Sequence, residues 1–269
     1  MLYLCCPQRW NDETTQTVAK SLSLAADHGT LVPVVSGLVV LALSWAMIPI
    51  RTIPWLSIAI RDLLMIALVG IAFPLWYIRR HGRDWAAFGL TWRRWAIYLP
   101  INLVLGALLF LLFLQESPPP DDLRLTAAML WQCAFIMLAG VFEVVFFYSF
   151  QRTLFERAFG TVPAILLAAG FYALHHIGFQ PEYAKLFPIG LIYAVPFRLG
   201  NSALLIYPFF WGVGGCYDVL VQSQVVAESL YPQVRAPILA LLIALTVVWI
   251  RSRQGTNQEK RDMEIPGEQ

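Results

Sequence analysis

Eight runs of mostly apolar residues divide the chain, at about 31–50, 54–78, 96–115, 125–150, 162–180, 186–197, 201–222 and 236–251. A helix needs about 20 such residues to cross a bilayer, and every run but the short sixth supplies nearly that many. The pattern predicts an all-α, polytopic membrane protein of about eight transmembrane helices. The connections alternate in charge. Residues 79–95 hold five arginines, QRTLFER (151–157) holds two, and RSR follows the last run, whereas ESPPPDDLR and QPEYAK are acidic or mixed. The positive-inside rule puts every arginine-rich connection on one side, with both termini in the cytoplasm, and an even number of spans agrees. Trp85, Trp92 and Trp95 flank the arginines of the second connection, as amphipathic aromatics do at a headgroup boundary, so 84–95 reads as an interfacial segment. The division expected is a tail at 1–30, one embedded domain at 31–251 and a polar, disordered tail at 252–269.

Composition agrees with the pattern. The 269 residues are 58% hydrophobic and 13% charged, where a soluble domain carries about a quarter charged residues. A net charge of +2, set in short clusters that topology explains, gives no reason to expect a nucleic-acid partner. The partner it does imply is the lipid bilayer. Four cysteines make no disulfide framework: Cys5 and Cys6 are adjacent, a weak pattern for lipidation, while Cys133 and Cys216 lie in apolar runs and read as small hydrophobes. The start of the chain lacks the three regions of a signal peptide.

An ionisable side chain at the centre of a membrane helix costs about 2.5–3.5 kcal/mol on insertion scales, so each needs a partner or a function. Inside the runs these residues are Arg61, Asp62, Glu143, His175, His176 and Asp218, with Glu156 and Arg198 near run ends. The fourth and fifth runs form a hairpin turning near Gly160–Pro163. Glu143 lies 17 residues before Gly160 and His176 lies 16 after it. At 1.5 Å per residue both sit about 25 Å from the turn, at one level of an antiparallel pair. Counting places Asp218, 18 residues after Gly200, and Asp62, 16 before Ile78, at similar depths. Arg61 and Asp62 read as structural charges that screen each other or meet Glu143 or Asp218. Glu143 with His176 reads as a buried functional pair.

The stretch FEVVFFYSFQRTLFERAFGTVPAILLAAGFYALHHIGF, Phe142 to Phe179, resembles the central part of the CPBP (Abi) intramembrane endopeptidases, the family of CAAX prenyl proteases and bacteriocin-processing proteins. That family carries E-E-x-x-x-R on one helix and F-x-x-x-H on the next. Glu143 stands at the first glutamate, and Tyr172-Ala-Leu-His175-His176 follows the second motif with tyrosine for phenylalanine, which makes His176 the family histidine; Phe171 with His175 is the alternative. WAAFGLTWRRW is similar to a Gly-Leu segment that many members carry. The departures are Val144 for the second glutamate, Tyr148 for the arginine, and a third motif, H-x-x-x-N/D, without its histidine, since the four histidines are His28, His81, His175 and His176. Phe210, Trp211 and Gly214 are the candidate positions for it, and Gly214 would make Asp218 the motif's last residue.

The resemblance implies a bacterial plasma-membrane endopeptidase that cleaves a membrane-anchored peptide or a lipidated, for example prenylated, protein with activated water. Glu143 would be the general base and His176 its partner, with Asp218 and His175 as further catalytic candidates and Asn201, His175 or Tyr217 as donors to the oxyanion. No cofactor is certain. A divalent metal such as zinc, if present, would use Glu143, His176 and Asp218, because neighbours such as His175 and His176 project about 100° apart on a helix. Two other readings remain open at this stage: a weakened or inactive relative serving self-immunity, scaffolding or peptide binding, and a transporter relaying protons through Asp62, Glu143 and Asp218. No internal repeat favours the transporter. Neither Ser149 nor Cys216 has a histidine–acid constellation, and GVGGC (212–216) reads as a helix-packing segment rather than a phosphate loop.

Overall fold

A computed structural model of the protein describes residues 28–119, 121, 123–180, 182–221 and 231–263. Among these residues the chain forms eight helices: α1 (His28–Ile50), α2 (Pro54–Arg80), α3 (Trp95–Glu116), α4 (Ala127–Phe159), α5 (Thr161–Gly178), α6 (Tyr183–Gly200), α7 (Phe209–Val221) and α8 (Pro232–Met263). The protein is an all-α, polytopic membrane protein. Six helices are long and apolar enough to cross a bilayer: Thr30–Ile50 of α1, α2, α3, α4, α5 and Pro232–Ile250 of α8. Of the eight spans expected, six meet that measure among the described residues, and α6 and α7 are shorter or more polar.

Both exceptions have a local cause. The 18 residues of α6 include Lys185, Arg198 and two prolines. The 13 residues of α7 reach only about 20 Å at 1.5 Å per residue, against about 30 Å of hydrocarbon. Its apolar run hides a break, because Asn201 takes a left-handed φ of 43° and Ala203–Leu205 makes a single 3₁₀ turn before Phe209 restarts the helix. The N–H groups of Phe209 and Phe210 donate to the side-chain oxygen of Asn102, at 2.8 and 3.1 Å. Asn102 belongs to α3 and is fully buried, so the helix cap that α7 lacks in its own sequence comes from a neighbour.

At the centre of the bundle stands α4, packed on α2, α5, α7 and α8. Its residues Val144–Gln151 are all buried and wind as a π-helix, as does Ile58–Ala72 of α2; such widened turns recur at functional sites. The outward faces remain apolar. Leu103, Val104, Leu108 and Leu111 of α3 and Leu31, Val35 and Leu38 of α1 are exposed, as lipid-facing positions are in a bilayer protein.

The arginine-rich ends share one face. Arg79 Nη1 donates to the Ile250 carbonyl at 2.8 Å, Asn201 Nδ2 to the Ala86 carbonyl at 2.8 Å and Ser149 Oγ to the Phe88 carbonyl at 2.5 Å. Glu156 pairs with both Arg152 and Arg198. In the segment before α3, Asp84 caps a 3₁₀ turn at Trp85–Phe88, and Trp92 and Trp95 are exposed beside Arg93 and Arg94. Continuing through Met263, α8 enters the polar tail assigned to disorder from composition. The tail proposed at 1–30, with Cys5 and Cys6, lies outside the described residues apart from the first turn of α1, as do residues 264–269.

Asp62 forms a bidentate pair with Arg235, Nε to Oδ2 and Nη2 to Oδ1 both at 2.6 Å, with both side chains almost wholly buried. The structural role expected of Asp62 is met by a residue at the start of α8 that the sequence reading did not weigh. The guanidinium of Arg61 lies 4.9 and 4.6 Å from the ring centres of Phe135 and Phe179.

Candidate active site

Helix α5 ends deep in the protein, and this ending builds the site. Its α-helical part stops at His175, and His176–Gly178 tightens into a 3₁₀ turn. Carbonyls freed at a helix end need donors; Ser44 Oγ of α1 donates to that of His175. The close approach of α1 requires a glycine at 178, where an added Cβ would meet the Ser44 carbonyl oxygen.

Both histidine rings hang from one atom. The Nδ1 of His175 lies 2.5 Å and that of His176 2.8 Å from the Tyr172 carbonyl oxygen. A carbonyl only accepts, so each Nδ1 carries a hydrogen and donates it, which leaves both Nε2 atoms as acceptors in the neutral rings. Those two Nε2 atoms lie 3.5 and 3.6 Å from Glu143 Oε1. The other carboxylate oxygen, Oε2, accepts from Trp211 Nε1 at 3.0 Å. Trp211 reaches it because Gly140, one turn before Glu143, has no side chain; a Cβ there would clash with the indole.

Three ligand-type atoms, Glu143 Oε1 and the two Nε2, thus lie within 4.8 Å of one another. At 3.5–3.6 Å from the carboxylate oxygen, the two Nε2 atoms are too far for direct hydrogen bonds and suitably spaced for something to sit between. A tetrahedral ion with bonds of about 2.1 Å separates its ligands by about 3.4 Å, and two histidines with one glutamate is a known catalytic zinc set. By donor chemistry and spacing the cluster can hold a divalent cation. It can equally take a water that donates its two protons to the carboxylate and one imidazole. The divergence of about 100° between adjacent histidines does not keep them apart here, because both side chains turn back to bond the Tyr172 carbonyl through Nδ1.

The cluster lines a cavity of about 420 Å³. Its walls are mostly apolar, with Met65, Ile66, Leu109, Ile136, Ala139 and Ile189 among them, and Arg61, Gln180, Lys185, Tyr217 and Asp218 also border it. The level-by-level expectation holds for Glu143 with His176 and gains His175. Asp218 joins a different group: its Oδ2 accepts from Gln180 Nε2 at 3.4 Å and lies 3.8 Å from Lys185 Nζ. Counting from Gly200 put Asp218 level with Glu143, but the residue of α7 that meets Glu143 is Trp211, and Asp218 comes seven residues, about 10 Å, further on toward the far rim. Of the three positions weighed for the third motif, Trp211 touches the glutamate, Phe210 stacks edge-on against Tyr193 and Gly214 lies against the Tyr193 hydroxyl.

The oxyanion donors weighed from sequence are dispersed. Asn201 binds the Ala86 carbonyl on the arginine-rich face. Tyr217 lines the cavity, its single hydroxyl proton shared between the carbonyls of Ser117, at 2.5 Å, and Phe113, at 3.0 Å. His175 is in the cluster itself. Tyr148, in place of the motif arginine, is fully buried against Tyr172 and Tyr193, its hydroxyl without a hydrogen-bond partner among the described residues. Sequence reasoning missed the donor role of Trp211 and the gap at Gly140 that admits it. The one available signal was the one-turn spacing of that glycine from Glu143.

Comparison with known protein families, curated proteins and solved structures returned no match. What stands is a polytopic helical membrane protein whose buried Glu143–His175–His176 cluster resembles the active sites of intramembrane proteases.

Proposed function

We propose that the protein is a divergent CPBP-type intramembrane endopeptidase, hydrolysing a peptide bond of a membrane-anchored or lipidated substrate. The observation that carries this reading is the convergence of Glu143 Oε1 with both histidine Nε2 atoms, all acceptors, at the inner end of a cavity within the helical bundle. A water held by its protons between a carboxylate and an imidazole presents its oxygen lone pairs to a bound carbonyl. Glu143 takes the proton as that oxygen attacks and passes it to the leaving amine. Trp211 fixes Oε2, so that Oε1 keeps the proton-accepting role. Tyr172 fixes both imidazole tautomers through its carbonyl. Where a divalent cation is bound, Glu143, His175 and His176 hold it, and it supplies Lewis-acid polarisation and a more acidic water.

The test is Glu143→Gln in membranes carrying an anchored reporter peptide. The isosteric amide cannot accept the proton, and cleavage should fall by about 10²–10⁴-fold, the usual contribution of a general base. Unchanged turnover rejects the assignment. A second reading, a non-catalytic relative that binds a peptide in the same cavity, is favoured by Val144, Tyr148 and Trp211 at positions where the family has glutamate, arginine and histidine. Full biological function in a Glu143→Ala, His176→Ala double variant would select it.

A further inference from the structure

The cavity has a direction. Three helices line it along their length, and in each the charged residue comes last, at the same end. On α3 the lining runs from Leu109 to Glu116, on α6 from Tyr193 back to Lys185, and on α7 from Trp211 to Asp218. Each run covers eight or nine residues, or about 10–12 Å of helix from first to last. The inner ends carry Trp211 and Tyr193, close to Glu143, and the outer ends carry Glu116 and Lys185, both exposed. Gln180 and Ser117 complete the polar rim. Lys185 and Asp218 are 3.8 Å apart there and Gln180 and Asp218 3.4 Å apart. Contacts of that length, partly in solvent, contribute little and part easily.

This rim lies on the face opposite Arg79, Arg80, Arg93, Arg152 and Arg198, because α3 and α7 run away from the arginine-rich ends and α6 runs toward them. Leu112 of α3 and Ile192 of α6 both border the cavity and are exposed, so part of its wall borders the apolar surroundings of the bundle. The depth limits what can reach the cluster: the 10–12 Å from the rim to the inner ends of the lining is spanned by three or four residues of extended chain at about 3.3 Å each.

We infer that the site is served from the face opposite the arginine-rich one, the non-cytoplasmic side by the positive-inside rule, and that it takes a short, apolar stretch of three or four residues. The substrate class is then the free end or juxtamembrane loop of an anchored protein on that side, its anchor remaining in lipid. The substrate class rests on the endopeptidase reading, whereas the side of access does not.

Access is measured without activity. In the full-length protein with Cys5, Cys6, Cys133 and Cys216 changed to serine, Ala139→Cys places one thiol in the cavity, one turn from Glu143. A membrane-impermeant cationic methanethiosulfonate is added to right-side-out or inside-out vesicles, with Arg93→Cys and Lys185→Cys marking the two faces. The expected result is labelling of the Ala139→Cys variant from the side that labels the Lys185→Cys marker, and only background from the side that labels the Arg93→Cys marker. Ile189→Cys, on another wall, repeats the measurement should the first variant not fold. Labelling from the arginine side, from both sides or from neither overturns the inference. The same pattern in a Glu143→Gln background separates the two claims: a normal cleavage rate there ends the protease reading and leaves the side of access standing, while labelling from the wrong face does the reverse.

Discussion

Trp211→Phe removes one hydrogen-bond donor and little else from the candidate site. The ring position is set by Gly140 and Gly215, whose missing side chains leave the space the indole fills, and a phenyl ring fits the same slot. What is lost is the 3.0 Å bond from Nε1 to Glu143 Oε2. A hydrogen bond to a charged group contributes about 1.5–3 kcal/mol, and about 1.4 kcal/mol is a factor of ten, so the rate should fall roughly 10- to 100-fold. The loss belongs in kcat more than in KM, because the carboxylate, once freed, turns its oxygens away from the two imidazoles without narrowing the cavity. Initial rates over a range of reporter concentrations in detergent give the two constants, and thermal unfolding of the same preparations reports folding. Trp211→His, which keeps an N–H donor, should recover part of the rate. The reasoning is refuted if Trp211→Phe leaves kcat within about twofold of wild type, or if the loss of rate only tracks a loss of folded protein.

Two further outcomes follow from the same contacts. Asp62→Ala removes the carboxylate from a bidentate buried pair with Arg235 and should destabilise the protein by about 3–5 kcal/mol, while Asp62→Leu with Arg235→Met should regain most of it, since well-packed apolar pairs often replace buried ion pairs without loss; thermal unfolding in detergent measures both. Titration with zinc or cobalt should show binding that each of Glu143→Gln, His175→Ala and His176→Ala abolishes and that Asp218→Ala leaves intact. Dependence on Asp218 would move the ligand set toward the rim.

Much of the fold was legible because a bilayer imposes a simple rule. All eight apolar runs became helices, and the hairpin depth count brought Glu143 to His176. It failed where apolarity stops reporting helicity. Residues 203–206 are as greasy as any span, yet they turn instead of spanning, and the Asn102 side chain that makes the restart at Phe209 possible lies 107 residues earlier. His175 was undervalued because a helix sends neighbours apart, whereas side chains that both bond the Tyr172 carbonyl bring the two rings back together. Arg235 escaped notice by sitting one residue outside an apolar run. Trp211 could be named as a candidate position, but its contact with Glu143 depends on a glycine of another helix, which no local pattern reveals.

The single carbonyl of Tyr172 that holds both imidazoles makes them one mechanical unit. A shift of the last turn of α5 swings the two rings together, and deleting either ring frees a lone pair that the survivor can claim. The residues at 175 and 176 therefore act as a two-toothed fork on one pivot, and their single and double variants should be strongly non-additive. Selection on either position amounts to selection on the pivot, whose essential atom is a main-chain oxygen that no substitution at residue 172 removes.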